Sequence, residues 1–194
     1  MISIVIPTYE MAGRSVEMLG ELLASISKQS YQDYEVIISD DSNNFFIENT
    51  IFSDERIRYF RNTGPRGACS NLNNAIFHAN GSIIKPMFQD DQFLDTGCLG
   101  KFANSSKAWA VCTSFHLGGR SPHVPYENYN AFEVATGVNS YGSPSAVAWK
   151  INELSFDESL VWLFDCDFYA RMILRYGQPE ILDTTVLIRE WEGS

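Results

Sequence analysis

Ile2-Ser3-Ile4-Val5-Ile6 is an almost unbroken β-branched run, closed by Pro7 and Thr8. Such a run reads as a strand buried on both faces, which is the habit of parallel sheets. Working outward, Met18, Leu19, Leu22, Leu23 and Ile26 recur at three- and four-residue steps. They predict an amphipathic helix over residues 15–28. Residues 34–39 (YEVIIS) form a second buried strand, ended by the polar cluster Asp40-Asp41-Ser42-Asn43-Asn44. A short third strand is expected over residues 57–60 and a helix over residues 68–79, with Asn80-Gly81 as its stop. The next strand, residues 82–88, contains Pro86, which argues for a bulge or an irregular end, and it runs into Gln89-Asp90-Asp91.

This alternation predicts an α/β fold: a single Rossmann-like domain with a mostly parallel central sheet and helices on both faces. Ligands bind such sheets beyond the carboxyl ends of the strands. Thr8, Asp41 and Asp91 each sit just past a predicted strand end, so all three are expected to converge on one crevice. The second half is less regular. Strands are expected over residues 108–114, 145–149 and 180–188, a helix over 164–176, and loops over 117–143. Nothing resembles an internal repeat or a linker, so residues 1–194 read as one domain.

Composition narrows the classes further. Fourteen Lys and Arg against 24 Asp and Glu give a net charge of −10, which excludes a general binder of the nucleic-acid backbone. No apolar run reaches the ~18 residues of a membrane span, and residues 1–14 lack the features of a signal peptide. The four cysteines, Cys69, Cys98, Cys112 and Cys166, are scattered without a CxxC pair, so zinc is not expected. Reduced thiols and a cytoplasmic location follow as the expectation. Trp109, Trp149 and Trp162 lie in apolar runs and are expected in the core, and Phe45-Phe46 are expected to begin a packed helix.

Two Asp-Asp pairs, Asp40-Asp41 and Asp90-Asp91, crowd like charge at strand ends. Turn chemistry accounts for one such pair, because Asp builds Asx-turns. Repetition at matched positions favours a cation, and few carboxylates suit Mg²⁺ or Mn²⁺, which leave positions open for phosphate oxygens. The chain has no GxxxxGK[ST] loop, no GxGxxG turn and no GxSxG elbow. P-loop phosphate transfer, dinucleotide oxidoreduction and that hydrolase class are therefore excluded.

Residues 3–10 (SIVIPTYE), 22–44, 56–76, 80–91 (NGSIIKPMFQDD) and 142–177 occur in an order and spacing that resembles the family 2 glycosyltransferases of the GT-A fold. The resemblance implies a nucleotide-sugar-binding half over residues 1–100 and an acceptor-side half over 101–194. It implies that Pro7, Thr8 and Glu10 line the nucleotide, and that Asp41 contacts the pyrimidine ring, where a carboxylate suits the N3–H donor. Arg66 falls where the family often has a basic or polar nucleotide contact. Asp90 matches the ribose or sugar contact, and Asp91 the ligand of Mn²⁺ or Mg²⁺. Asp165 matches the general base, which implies one in-line displacement with inversion. Phe168 and Tyr169 would line the acceptor, whereas Asp167 would cap the helix or pair with Arg171.

The implied activity is sugar transfer from a UDP- or dTDP-sugar to an acceptor hydroxyl, a glycan, lipid-linked sugar or protein, in glycan or polysaccharide synthesis. The chain departs from the family pattern at Phe164, where Glu is usual, at Glu10, where Asn is usual, and at Arg189-Glu190-Trp191, where many relatives place a His. A noncatalytic glycan- or nucleotide-binding module on the same fold is the alternative. A sugar-nucleotide pyrophosphorylase is disfavoured, because Pro7-Thr8-Tyr9-Glu10 is not the Gly-rich basic loop such enzymes carry.

Overall fold

The computed structural model describes residues 1–43, 47–48, 54–117, 122–126, 128–151 and 153–189. Asn44, the Phe45-Phe46 pair, Glu190 and Trp191 lie outside the described residues. Among the described residues are eight strands: β1 (Ile2–Thr8), β2 (Tyr34–Asp40), β3 (Ile57–Arg61), β4 (Ile83–Pro86), β5 (Gln92–Phe93), β6 (Trp109–Leu117), β7 (Val147–Lys150) and β8 (Glu180–Arg189). The helices are α1 (Ser15–Ser27), α2 (Ala68–Phe77), α3 (Cys98–Ala103), α4 (Ala131–Ala135) and α5 (Phe164–Tyr176).

All eight strands form one sheet in the order β3-β2-β1-β4-β7-β6-β8-β5. The β3-β2-β1-β4 half is parallel throughout, as is the β6–β8 pair, while β7 and β5 run antiparallel to their neighbours. The α/β domain with a mostly parallel sheet is thus as the sequence predicts. β4 stops at Pro86, which has no N–H to give to a ladder; its pairing with β7 covers only Ile83 and Ile84.

β1 shows why its sequence is continuous rather than alternating. Ile2, Ile4 and Ile6 pack with Leu19, Leu22 and Ile26 of α1, whereas Val5 faces Cys69, Leu72 and Ala75 of α2 on the other side. Both faces are covered, so every position is apolar or internally satisfied. Each such fully buried side chain contributes about 1.5–3 kcal/mol. All four cysteines are free and buried.

Several elements differ from expectation. α3 and the two-residue β5 are too short to leave a periodic signature. α4 lies within the expected loop, started by a reciprocal capping box between Asn130 and Glu133. Trp109 and Trp149 are buried, but Trp162 is 75% exposed. It sits with Val161 in the turn before α5, and Leu163 there adopts a left-handed backbone at φ 60°. An apolar run without period carries no information about facing, and here the run points outward.

Candidate active site

Parallel register delivers the carboxyl ends of β1, β2 and β4 to one edge of the sheet. Thr8 lies opposite Asp40 and Val5 opposite Pro86, so the segments that follow emerge side by side. Between them lies a cavity of about 460 Å³, lined by residues that include Pro7, Tyr9, Asp41, Arg66, Asn71, Gln89, Asp90, Asp91, Ser143 and Arg189. Of the residues expected to bind nucleotide or metal, Pro7, Asp41, Arg66, Asp90 and Asp91 line this cavity; Thr8 and Glu10 do not.

Thr8 ends β1, fully buried, with its hydroxyl donating to the Ser39 carbonyl at 3.1 Å. The expected convergence of Thr8, Asp41 and Asp91 therefore holds for the two carboxylates, and the threonine side chain is spent on strand pairing. Glu10 accepts from the Asn43 backbone N–H at 3.2 Å and from its Nδ2 at 2.9 Å. Backbone donation around Glu10 itself, then the Asn43 contacts, outweigh desolvation and hold its carboxyl below the usual range.

Asp41 is held from two sides. Its Oδ1 accepts from Asn62 Nδ2 at 3.1 Å and its Oδ2 from the Gly67 N–H at 2.9 Å. Arg66 donates to the Asp41 carbonyl at 2.7 Å and to Asn43 Oδ1 at 2.6 Å, folding across the loop. A carboxylate has about four acceptor positions, so capacity remains for a donor within the cavity. Gly67 takes φ 140°, a conformation that glycine alone adopts without strain, and this lets its N–H point at Asp41.

Asp91 is buried, with Oδ1 accepting from the Arg189 N–H at 3.1 Å. Burial, then repulsion from Asp90, push its carboxyl up to about 8. Such a site resists ionisation until a positive charge arrives. Among the described residues, no group of three or more His, Cys, Asp and Glu is placed to enclose a metal. Two carboxylates at an open cavity instead fit Mg²⁺ or Mn²⁺, which takes one or two protein oxygens and completes its shell with phosphate and water. The donor set fits the implied ion.

Three features go beyond the sequence reading. Buried Gln89 grips the Tyr9 backbone through both ends of its amide, accepting from the N–H at 2.8 Å and donating to the carbonyl at 3.1 Å. Asn71 is 3% exposed; its Nδ2 donates to the Thr8 carbonyl at 2.9 Å, while its Oδ1 has no partner among the described residues. A signal was present there, since Asn71 interrupts the apolar face formed by Cys69, Leu72 and Ala75. Met11 and Ala12, in the loop after β1, both take positive φ, at 44° and 50°.

Asp165 lies outside the lining of this cavity, one residue into α5. Its Oδ2 accepts from Asn139 Nδ2 at 2.7 Å and its Oδ1 from the Cys166 N–H at 2.9 Å. Burial raises its pKa against those bonds, which moves a carboxylate toward the basicity a proton acceptor needs. Asn139 also donates to the Gly142 carbonyl at 3.2 Å, and Ser143, the next residue, lines the cavity. Asp167 pairs with Arg171 at 2.6 Å, as its spacing predicts.

Phe168 and Tyr169 correct an expectation. Neither has exposed surface: Phe168 stacks on Phe156 at 4.4 Å, and Tyr169 packs on Trp109 at 6.0 Å. The face of α5 that carries them packs into the aromatic core and offers no acceptor wall. The Tyr169 hydroxyl donates to the Gly142 carbonyl at 3.1 Å.

The glycosyl transferase family 2 model matches residues 3–171. The chain belongs to the family 2 glycosyltransferases. A relative named for colanic acid biosynthesis, the glycosyl transferase WcaA of Escherichia coli K12, is 26% identical over 200 residues, covering 92% of this chain and 68% of that protein. The GalNAc(5)-diNAcBac-PP-undecaprenol beta-1,3-glucosyltransferase of Campylobacter jejuni is 33% identical over 101 residues, 48% of this chain and 30% of that one. Among solved structures, residues 1–349 of S. aureus TarS in complex with UDP superpose with a TM-score of 0.74 at 19% identity, covering 97% of this chain and 60% of TarS 1–349. That likeness establishes the GT-A fold. The matched regions thus cover between 30% and 68% of the length of these relatives. Among the described residues no helix is long and apolar enough to cross a membrane.

Proposed function

We propose that this family 2 glycosyltransferase moves a sugar from a UDP-sugar, with dTDP-sugar as the second candidate, to a hydroxyl of a polysaccharide or lipid-linked glycan, with inversion. The observation that carries the reading is the meeting of Asp41, Asp90 and Asp91 at one cavity beyond the carboxyl ends of β1, β2 and β4. UDP in TarS and the undecaprenol-linked acceptor in the name of the C. jejuni relative support the donor and acceptor classes.

In this reading Asp41 accepts the pyrimidine N3–H, with Pro7 and Arg66 beside it, and Asp90 holds the ribose or sugar. Thr8 and Glu10 support the nucleotide loop from behind through their contacts to Ser39 and Asn43. Asp91 would hold Mn²⁺ or Mg²⁺, which offsets the charge that builds on the leaving diphosphate. Asp165 takes the acceptor proton as the acceptor oxygen bonds to the anomeric carbon. The bond from that carbon to the diphosphate oxygen breaks, and the diphosphate departs with the electron pair. One displacement from the face opposite the leaving group inverts the centre.

Asp165→Asn keeps shape and removes basicity. Transfer should fall by roughly 10²–10⁴-fold while UDP-sugar affinity stays at the wild-type value. Turnover and calorimetric donor affinity measured on both proteins decide it. Wild-type turnover in the variant would move the base elsewhere. Donor binding without transfer to any acceptor would instead support a noncatalytic binding module.

A further inference from the structure

Lys85 is the one charged residue of β4, and none of its surface is exposed. Its Nζ donates to the Pro86 carbonyl at 3.0 Å and to the Ser145 carbonyl, lies 3.3 Å from Met87 Sδ, and sits over the Phe93 and Phe102 rings at 5.5 and 5.0 Å. Burial pulls the pKa of this amine down, and a lysine kept in such a setting without a carboxylate in hydrogen-bond contact costs desolvation that an apolar residue of similar volume would not. What distinguishes Lys85 is the residue it holds. Ser145 receives the Phe88 N–H on its hydroxyl at 2.9 Å, and the Phe88 carbonyl in turn accepts the Asp91 N–H at 3.0 Å, so Ser145 holds the turn that carries Asp91.

Six residues earlier, Asn139 holds Asp165 by direct contact, as Ser145 holds Asp91 through the Phe88 backbone. Its Nδ2 reaches Asp165, and its Oδ1 accepts from the N–H groups of Tyr141 and Gly142 at 3.2 and 2.9 Å, closing the turn on itself. Gly142 takes φ 82°, and its carbonyl is gripped by both Asn139 and the buried Tyr169 hydroxyl. The segment between is therefore held by hydrogen bonds at both ends.

We infer that residues 139–145 form a bracket, pinned by Lys85, that sets Asp91 at its Ser145 end and Asp165 at its Asn139 end. Lys85, Ser145 and Asn139 are then positioning residues for transfer. The inference rests on the roles proposed above for Asp91 and Asp165. It explains how a carboxylate outside the cavity is kept in register with one that lines it.

The test uses Lys85→Met, Ser145→Ala and Asn139→Ala in the full chain. Thermal unfolding, Mn²⁺ affinity in the presence of UDP by electron paramagnetic resonance, and kcat and KM for the acceptor are measured for each. Lys85→Met should melt at or above the wild-type temperature yet bind Mn²⁺ roughly 10–100-fold more weakly, the usual cost of losing a residue that orients a metal ligand. Ser145→Ala, which leaves Lys85 in place, should weaken Mn²⁺ in the same range. Asn139→Ala should keep Mn²⁺ affinity and lower kcat. Wild-type Mn²⁺ affinity in both Lys85→Met and Ser145→Ala overturns the bracket alone. So does a Lys85→Met protein that loses its fold while Ser145→Ala binds Mn²⁺ normally. A wild-type protein whose UDP binding ignores Mn²⁺ overturns the reading of Asp91, and the bracket with it.

Discussion

Asp40 and Asp41 are adjacent carboxylates with different work. Asp40 is fully buried and accepts from the Tyr59 hydroxyl at 2.7 Å, the Ser42 N–H at 2.9 Å and Arg61 at 3.3 Å, tying β2 to β3. Asp41 lines the cavity. Asp41→Asn should weaken UDP by about 1.5–3 kcal/mol, the range for a hydrogen bond to a charged group, whereas Asp40→Asn should cost stability and leave UDP affinity nearly unchanged. Calorimetry on both variants checks this; an Asp41→Asn loss no larger than that of Asp40→Asn contradicts the assignment. At this scale the sequence was legible where chemistry and position coincide, as for acidic residues at strand ends. It was silent on where a side chain faces. Thr8, Phe168, Tyr169 and Trp162 all carry types compatible with two environments, and only tertiary packing decides between them.

Glu35 shows how elements are locked together. It lies within β2 among apolar neighbours and is 7% exposed. It accepts from the Ser3 hydroxyl at 2.7 Å, the Asn80 N–H at 2.6 Å and Arg58 at 3.0 Å, joining β1, β3 and the end of α2. Gly81 completes the knot, because a Cβ there would sit 2.8 Å from the Ser3 backbone nitrogen. Burial alone would raise the Glu35 carboxyl, but these donors outweigh it and hold it below the usual range. A depressed carboxylate contributes its stability above the unfolded value of about 4.3, and loses it as pH falls through the lower folded value. Glu35→Gln should therefore cost about 1–3 kcal/mol at pH 7, with the gap to wild type closing only below about pH 4. Urea unfolding of both proteins across pH measures the gap; a constant gap from pH 7 to pH 3 contradicts it. The elements of the first ninety residues were legible because long apolar periods and Asn-Gly or Asp clusters punctuate them. Elements of two to six residues, β5, α3 and α4, are held by caps and neighbours and leave no period to read.

For the molecule as a whole, one sheet carries both the cavity-lining carboxylates and, through β6 and β7, the segment that reaches Asp165. The parallel half was readable from strand and helix alternation. The antiparallel insertion of β7 between β4 and β6 was not, since pairing of short strands is decided by contacts distant in sequence. The central claim is that the cavity binds a nucleoside diphosphate through Asp91 and a divalent ion. Isothermal titration of the wild-type protein and of Asp91→Ala with UDP, dTDP and GDP, each with Mn²⁺ and with chelator, tests it most directly. UDP should bind the wild type in Mn²⁺, with dTDP second, and chelation or Asp91→Ala should remove the binding. Absence of binding by all three nucleotides, or UDP binding that survives both chelation and Asp91→Ala, would contradict it.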